Sequence, residues 1–571
     1  MEKKGQIAVG LIAIIAIAAI GGGIAFVMLT EAPGAGQTSL VYGTMYGPVD
    51  LDPQVAWDSA SIDAIDQVCE GLFAYDLSDP SLALIPNLAL SGTWNPAGTE
   101  FTVILRQGVK FHDGADFDAD AVIFTWDRMA WALNTTGTNT DGVTQVAELY
   151  EFPDGTPIVD NITRNGDFSV TFNLSGPYIP FQALLCFSAS YILSPLSTPA
   201  TAYIDTASGD IVGTGPFVYD VYEAGVEVTF HKNANYWQGA SAIDLLVFSV
   251  ITDANARNAA LLSGDIDYLS DPLDSILGVF NLTAGIDLFY VGNSLVTQYL
   301  GMNNMLLNKT WREAISYAID YDYILNTLRE GNAVRMESPI PEGILYANWT
   351  FDEAVTDVAH ARTVMQSMGY GAAYNVTVGS VNEMDWQNSA FFSVNYTYNI
   401  GNNFREDVFV LLQDNLGKIG IVVEDAGMTW GEFIYRLYEI GNLHRNMLQL
   451  YWIGWGPDYN DPSNFINPLF TNRSVASNGA QYNGYLAAIE AGRDPMALND
   501  NVQLLMEEGL SEPDPVVREA LYDRIQELLI EEDYPWIWGY VSKSHRAWVA
   551  NLEGMPTNSM GKEYFYPCYY S

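Results

Sequence analysis

The sequence predicts an α/β protein with more than one lobe. Its 571 residues exceed what a single hydrophobic core normally supports. Predicted strands and amphipathic helices alternate along the chain. One stretch gives a strand–helix–strand unit: Tyr374 to Val381, Phe404 to Leu416, and the run IGIVVED. Such units favour a parallel sheet covered by helices.

The N-terminal stretch has the composition of a membrane-spanning segment. Lys3 and Lys4 precede an uncharged run, and residues 6–29 as a helix would measure about 36 Å, enough to cross a hydrocarbon core of about 30 Å. We therefore expect residues 1–5 to form a cytoplasmic tip, 6–29 a transmembrane anchor and 30–38 a linker, with the bulk of the chain extracellular. A cleaved signal is the alternative for residues 6–29.

Charge and cysteine content narrow the class of protein further. A net charge of −45 argues against nucleic acid and anionic membrane surfaces as partners. It fits a secreted or cell-surface protein, and salt adaptation or an acidic medium would fit equally. The three cysteines form no CxxC pair, which leaves open one disulfide plus a free thiol, or three free thiols.

Glycosylation sequons agree with an exterior location. Each Asn-x-Ser/Thr site marks a position where a glycan can be attached outside the cell. They occur at Asn134, Asn161, Asn173, Asn281, Asn308, Asn348, Asn375, Asn395 and Asn472.

The N-terminal half begins with a predicted strand, Leu40 to Tyr46, and a predicted helix, Ser59 to Phe73. The run FTVILRQG predicts a strand ended by a turn. DFDADAVIFTWDRM predicts a helix whose first-turn aspartates suit the helix dipole. Gly213 to Trp237 predicts a β-hairpin. His112 and Asp113 are adjacent, but two residues lack the ligand count of a metal site.

The C-terminal half continues the alternation of strands and helices. A strand that crosses into the next lobe is predicted over Thr297 to Asn303. One amphipathic helix is predicted over Lys309 to Arg329. Helices are also predicted over Trp430 to Ile440 and Arg518 to Leu529. Between them, Met447 to Ile453 predicts a buried strand that ends in a glycine-rich turn.

The turn after that strand, GWGPDYNDPSNF, contains the most informative side chains. Here Trp455 and Tyr459 flank the carboxylate of Asp458. Aromatic rings supply cation–π attraction, and a carboxylate supplies roughly 4 kcal/mol at about 4 Å and an effective dielectric near 20, before desolvation is subtracted. This combination suits a ligand ammonium. An acidic surface loop with a core tryptophan is the alternative.

Several motifs in sequence order together resemble one family. They are LRQGVKFHDG followed by FDADAVIFTWDR, GTGPF with NANYW, DANARNAALLSGDIDYL, KTWREAISYAIDYDYIL and GWGPDYNDPSNF. Over nearly all of residues 39–571 the chain is similar to the extracytoplasmic solute-binding proteins of ABC importers, in the peptide/nickel (oligopeptide- and dipeptide-binding) family. With its predicted anchor, acidity and sequons, it looks like archaeal, membrane-anchored members.

The resemblance implies a periplasmic-binding-protein-like type II fold, with two main lobes, a hinge and an extra subdomain. Lobe I would comprise residues 39–76, 194–296 and 530–571. The extra subdomain, domain II, would comprise 77–193, and lobe II, or domain III, 297–529. By the same resemblance Asp458 would anchor a peptide α-amino group, and Arg405 would meet the ligand carboxylate. The implied ligand-binding residues are Met45, Tyr46, Arg405, Trp455, Asp458 and Tyr459.

One departure from the family pattern bears on the ligand. Some oligopeptide-binding relatives carry a basic residue a few positions before the signature tryptophan, where this chain has Trp452 and Ile453. Carboxylate recognition, and with it a short-peptide ligand, therefore stays open at this point.

The expected function is that of an extracellular, monomeric substrate-binding subunit. It would capture di- or oligopeptides between its lobes and deliver them to a membrane permease, without cofactor, metal, nucleic acid or enzymatic activity. An oligosaccharide or nickel-chelate binding protein of the same fold is the alternative. A secreted glycoside hydrolase is a distant one, since paired acids such as Glu507–Glu508 could imitate a catalytic dyad. No HExxH, GxSxG or Walker A pattern occurs.

Overall fold

A computed structural model describes residues 38–134, 139, 146–206, 211–438, 448–472 and 478–571. The expected cytoplasmic tip, the anchor and all of the linker except Thr38 lie outside the described residues. Within the described ranges, no helix combines the length and apolar character needed to cross a membrane.

The strands and helices alternate as the sequence predicts. The strands are β1 Ser39–Thr44, β2 Phe73–Tyr75, β3 Leu84–Pro86, β4 Ala89–Trp94, β5 Glu100–Leu105, β6 Val159–Gly166, β7 Ser169–Leu174, β8 Phe217–Glu223, β9 Glu227–Lys232, β10 Leu245–Val250, β11 Tyr268–Leu269, β12 Ile286–Met302, β13 Ala333–Arg335, β14 Phe392–Asn399, β15 Ile421–Met428, β16 Leu450–Trp455, β17 Trp536–Val549, β18 Leu552–Glu553 and β19 Tyr569–Tyr570. The α-helices are α1 Ser59–Val68, α2 Ala119–Leu133, α3 Phe181–Leu184, α4 Ala254–Ser263, α5 Leu277–Leu282, α6 Lys309–Ala318, α7 Tyr321–Tyr323, α8 Val358–Ser367, α9 Glu383–Gln387, α10 Asn403–Gly417, α11 Trp430–Tyr438, α12 Ser463–Phe470, α13 Gly484–Glu490, α14 Val502–Ser511 and α15 Pro515–Glu527.

One eleven-stranded sheet runs through both halves of the chain, in the order β15-β14-β16-β12-β17-β11-β1-β10-β9-β8, with β13 beside β17. Its central strands, β12 and β17, are long and antiparallel. They pair from Ile286 opposite Val549 to Gly301 opposite Trp536, with irregular register between Tyr290 and Thr297. These two strands therefore connect the part of the sheet around β1 with the part around β14.

A separate four-stranded sheet, β4-β5-β7-β6, lies within residues 77–193. Its buried apolar faces belong to the largest core cluster, which also takes in residues from α12, α14 and α15. A backbone hydrogen bond from Ile179 N–H to Leu510 O (2.9 Å) ties the same two regions together. The segment that forms this sheet is thus packed against the C-terminal helices as well as against the main sheet.

Helix boundaries follow the caps that the sequence offers. Asp118 and Asp253 accept hydrogen bonds from backbone N–H groups in the first turns of α2 and α4. The prediction of one continuous helix over Lys309 to Arg329 is wrong. It stops at Ala318, and Asp320 accepts the N–H of Tyr323 at 2.9 Å, so a second, short helical segment starts there.

The strand expected over Tyr374 to Val381 is also wrong. That segment forms turns, and the strand that precedes α10 is β14. β14 pairs in parallel with both β15 and β16. The strand–helix–strand unit is therefore present, but its first strand lies further along the chain.

Two open points about polar side chains are settled by their surroundings. Cys69, Cys186 and Cys568 are all free and buried, so the chain has three free thiols and no disulfide among them. Burial raises the pKa of each thiol.

His112 Nε2 lies 2.9 Å from the carbonyl oxygen of Gly215, so this histidine supports a turn.

Candidate functional site

Two of the predicted residues are carried to the same edge of the main sheet. Because β14 and β16 are parallel, with Tyr396 opposite Leu450, their carboxyl ends meet at one edge. Arg405 lies in the first turn of α10, directly after β14, and Asp458 follows β16. Ligands of open α/β sheets bind outside the carboxyl ends of the strands, so this edge is the candidate site.

Asp458 is a buried carboxylate held by neutral donors. Its Oδ1 accepts the indole N–H of Trp57 at 2.9 Å, and its Oδ2 accepts the amide of Asn464 at 2.7 Å. In the part of the chain that the structure describes, no Lys, Arg or His lies within 4.0 Å of the carboxylate. Burial raises the pKa of Asp458 to about 7. A ligand ammonium would therefore meet a carboxylate that no described cation pairs with directly.

Two tryptophans border this carboxylate. The rings of Trp57 and Trp455 meet edge to face, with centroids 5.4 Å apart. The indole nitrogen of Trp455 is buried and has no hydrogen-bond partner among the described residues. It is thus a donor that a ligand carbonyl or carboxylate oxygen could satisfy.

Arg405 forms a second group of side chains. It is buried, and its Nη1 donates to Asn399 Oδ1 at 2.5 Å. The amide of Asn399 in turn donates to the hydroxyl of Tyr46 at 2.6 Å. Tyr46 stacks on Trp430 with centroids 5.3 Å apart, and the guanidinium carbon lies 5.8 Å from the Trp430 ring. Within the described ranges Arg405 has no Asp or Glu in ion-pair range, so a buried cation also lacks a counter-charge.

Both groups join distant parts of the chain. Tyr46 and Trp57 belong to the expected lobe I, whereas Asn399, Trp430 and Asp458 belong to the expected lobe II. The candidate site is therefore built from two sides that face each other across the carboxyl edge of the sheet.

The loop that carries Asp458 is fixed independently of that residue. Arg518 donates to both carboxylate oxygens of Asp461, at 3.0 and 2.8 Å. The N–H of Asn460 donates to the hydroxyl of Tyr75 at 2.8 Å. These bonds hold the backbone next to Asp458 without using its carboxylate.

The remaining predicted residues contact less of the site. Tyr459 is buried, and its hydroxyl lies 3.2 Å from Ser463 Oγ. Met45 is half-buried directly after β1. A ligand contact for either residue stays a prediction.

Sequence reasoning missed Trp57, Asn399, Trp430 and Asn464. Asn464 stands six residues after Asp458 in the same signature run, which is the one local signal available. Trp57 lies 401 residues from Asp458, and only the folded sheet brings the two together.

A mixed sheet with a buried, aromatic-lined site between its two sides is an arrangement suited to a solute-binding protein. A family model described as "Bacterial extracellular solute-binding proteins, family 5 Middle" matches residues 83–477. The chain belongs to this family. Its members are non-enzymatic binding proteins of ABC transport systems, which confirms that the chain is not an enzyme.

Relatives of known function cover most of the chain. It is 24% identical to heme-binding protein A of Haemophilus influenzae, over 94% of this chain and 93% of that protein. It is 25% identical to the dipeptide-binding protein of Escherichia coli, over 81% and 83%. The solved structure of the periplasmic binding protein DppA of Helicobacter pylori, in complex with the peptide STSA, is 22% identical and superimposes with a TM-score of 0.78 over 93% and 98%. The likeness confirms the type II binding-protein fold.

Proposed function

We propose that this protein is the substrate-binding subunit of an ABC importer and that it captures di- or oligopeptides as zwitterions. The observation that carries this proposal is the presence of Asp458 and Arg405, two buried and opposite charges without counter-ions among the described residues, at one sheet edge. The peptide α-ammonium would bind Asp458 and its carboxylate would bind Arg405.

The energetics favour a ligand that brings both charges. A buried charge is costly unless it is paired, and each ligand charge gains roughly 4 kcal/mol at about 4 Å and an effective dielectric near 20, before desolvation. The rings of Trp57, Trp455 and Trp430 add apolar area and cation–π attraction. A singly charged solute would leave one of the two protein charges unpaired, and a neutral solute would leave both unpaired.

The ligands named for the relatives support peptide binding, but they also include a ligand of another kind. The Escherichia coli relative is a dipeptide-binding protein and the Helicobacter pylori structure holds a peptide, whereas the Haemophilus influenzae relative is a heme-binding protein. We therefore test dipeptides, tetrapeptides, an oligosaccharide, a nickel chelate and haem by thermal shift. A ligand that binds the native state alone raises the melting temperature. We expect the peptides to raise it; a shift with the oligosaccharide or nickel chelate alone would reject peptide binding.

The long strands β12 and β17 would form the hinge between the lobes. Their register is irregular between Tyr290 and Thr297, where Asn293 lies opposite Lys543, and a strand pair with such bulges is a natural place to bend. The proposed lobe boundary at residues 296 and 297 falls in this region. On β17 the same crossing lies at residues 541–543, so we extend the proposed lobe II to Val541.

The cellular location is proposed from residues 6–29, which would tether the chain as in archaeal members. We expect the full chain to stay with the membrane fraction in high salt and to be released by detergent. Recovery in the soluble fraction, with residues 6–29 removed, would favour a cleaved signal. Five of the nine sequon asparagines are exposed and the other four are half-buried, so the exposed five are the proposed positions for glycan attachment.

Arg405→Met should lower the affinity for a free dipeptide about tenfold or more, because a hydrogen bond to a charged group contributes about 1.5–3 kcal/mol. The same dipeptide with an amidated C-terminus should bind the variant and the original protein equally well. Isothermal titration calorimetry measures both ligands. Equal losses for the free and the amidated peptide would show that Arg405 supports the site without meeting the carboxylate.

Dipeptide affinity should fall as the pH is lowered below about 7. The pKa of Asp458 is raised to about 7 by burial, so acid converts this carboxylate to its neutral form, while an α-amino group, with an ordinary pKa of about 7.7–8.0, stays protonated. Between pH 7 and pH 5.5 we expect a loss on the order of tenfold, measured by calorimetry. The Asp458→Ala variant should lack this slope; an equal slope in the variant would assign the titration to another group.

A further inference from the structure

A second cavity lies outside the candidate peptide site. It has a volume of about 450 Å³ and is lined by Asp66, residues 69–71 and 73–78, Ile85, Asn87, Cys186, Tyr191, Gln238 and parts of the C-terminal segment 556–567. None of the six predicted ligand-binding residues lines it. Its volume falls within the range of about 300–1,000 Å³ typical of small-molecule sites.

Five aromatic rings line this cavity. The lining rings are those of Phe73, Tyr75, Tyr191, Tyr564 and Tyr566. Tyr191 already accommodates a cation, because Lys562 Nζ lies 5.9 Å from its ring centroid. Aromatic faces attract ammonium groups through their quadrupole, so the lining suits an organic cation that carries an apolar body.

The ionisable side chains that line the cavity are mostly acidic, which suits a cationic ligand. Three carboxylates, Asp66, Glu70 and Asp76, face one ammonium, that of Lys562. Lys562 is already paired with Asp66 at 3.1 Å. The cation is thus neutralised locally, and two carboxylates remain without a counter-charge from the lining.

Glu70 is the buried one of these two carboxylates. It accepts hydrogen bonds from Thr214 Oγ1 at 2.7 Å, Tyr236 OH at 2.8 Å and Trp237 Nε1 at 3.0 Å. All three donors are neutral, and no cationic side chain of the described residues forms an ion pair with Glu70. Arg106 stacks on Trp237 at 4.2 Å but does not line the cavity. Because its lone pairs are already occupied, Glu70 would act on a ligand through its field at short range.

We propose that this cavity is a second small-molecule site, which takes an organic cation: a protonated or quaternary amine on an aromatic or alkyl body. The site is distinct from the one built on Asp458 and Arg405. It does not depend on peptides being the ligand there.

The test uses phenethylammonium as the probe and 3-phenylpropionate as a matched anion of similar size. Both are titrated into the purified full-length Asp458→Ala variant, in which the amine anchor of the other site is removed. We expect phenethylammonium to bind with a stoichiometry of one, and the anion to bind at least tenfold more weakly. Ligand-observed NMR and calorimetry measure both.

Two cavity-filling changes locate the probe. Ala74→Trp and Ile85→Trp, each added to the Asp458→Ala background, should lower the affinity for phenethylammonium at least tenfold. Ile85 is 38% exposed, so its replacement should preserve folding even if that of Ala74 does not. We avoid Tyr75 because its hydroxyl holds the loop of Asp458.

Three results would overturn the proposal. The first is no binding of phenethylammonium to the Asp458→Ala variant, and the second is equal binding of the cation and the anion. The third is unchanged binding in a folded cavity-filled variant. Each result concerns this cavity alone, because peptide binding at the first site is measured separately with the Asp458 and Arg405 variants.

Discussion

Asp458→Ala is expected to weaken zwitterionic dipeptide binding on the order of a hundredfold or more. Removing one member of a buried, hydrogen-bonded charge pair costs about 2–5 kcal/mol or more, much of it the penalty of leaving the other charge unpaired. Here the ligand ammonium would lose its only carboxylate partner in the site. Calorimetry with the original protein and the variant measures the loss.

The variant should remain folded, which separates binding from stability. The loop that carries Asp458 is held by the Arg518–Asp461 ion pair and by Asn460 on Tyr75. Alanine removes a buried charge but also leaves the donors of Trp57 and Asn464 without their acceptor, which costs about 1–3 kcal/mol. The ligand-free variant should therefore still unfold cooperatively, at a modestly lower temperature than the original.

Two controls make the result specific to the ammonium. An N-acetylated dipeptide, which lacks the cation, should bind the variant and the original protein with similar, weak affinity. Asp407→Ala removes an exposed acid near Arg405 and should leave dipeptide affinity within about twofold, since exposed charges contribute little. Unchanged dipeptide affinity in Asp458→Ala would exclude this residue as the amine anchor.

The fold could be predicted where local signals are strong. The hairpin of β8 and β9 follows from alternating residues on either side of a glycine turn. Helices α2 and α4 follow from their aspartate caps. In each of these elements the residues that specify the structure are neighbours in the sequence.

Other elements depend on contacts that the sequence does not reveal. Residues 374–381 and 392–399 have similar apolar content, and only pairing with β15 and β16 selects the second as a strand. Gly454 predicts a turn, yet it lies within β16. A Cβ there would come within 2.9 Å of the backbone oxygen of Thr297 on β12, so this glycine permits close packing of the two strands. A single sequence does not distinguish these two uses of glycine.

The same limit applies to the candidate site. Asp458 is predicted from the signature run that contains it, and Arg405 from its place at the start of a predicted helix, where dipeptide-binding relatives carry a basic residue; their ligand contacts stay a prediction. Their partners Trp57 and Asn399 could not be predicted, since Trp57 reaches Asp458 only through the order of strands in the main sheet, and Asn399 is placed by the pairing of β14. That no described residue supplies a counter-ion to either charge, on which the proposed function depends, is a property of the folded protein alone.

Asp52→Ala is expected to lower the free energy of unfolding by about 3–5 kcal/mol, the usual cost of breaking a buried ion pair by removing one partner. Asp52 and Arg128 are both fully buried, and the guanidinium donates to both carboxylate oxygens. Arg128 also donates to Pro199 O at 2.8 Å and Ala202 O at 2.9 Å. Alanine at position 52 would leave this guanidinium buried without a counter-charge. Urea unfolding followed by tryptophan fluorescence measures the change.

A double variant and an exposed pair serve as controls. Asp52→Ala with Arg128→Met should recover part of the lost stability, because replacing both charges with apolar groups removes the uncompensated one. Asp116→Ala breaks the exposed Lys110–Asp116 pair, whose side chains are 72% and 54% exposed at Asp116 and Lys110, and should cost at most about 1 kcal/mol. A loss in Asp52→Ala no larger than in Asp116→Ala would contradict the expected role of the buried pair.

Asp52→Ala should also lower the affinity for the dipeptide, although Asp52 touches none of the proposed binding side chains. The residue lies between Tyr46 and Trp57 in the chain, and its carboxylate fixes this stretch to helix α2 and accepts the N–H of Ile204 at 2.8 Å. Without that attachment, Tyr46 and Trp57 would have to be ordered at the moment of binding, which costs conformational entropy. Dipeptide affinity should therefore fall in Asp52→Ala and stay unchanged in Asp116→Ala. Equal affinity in both would show that the stretch is held by its other contacts.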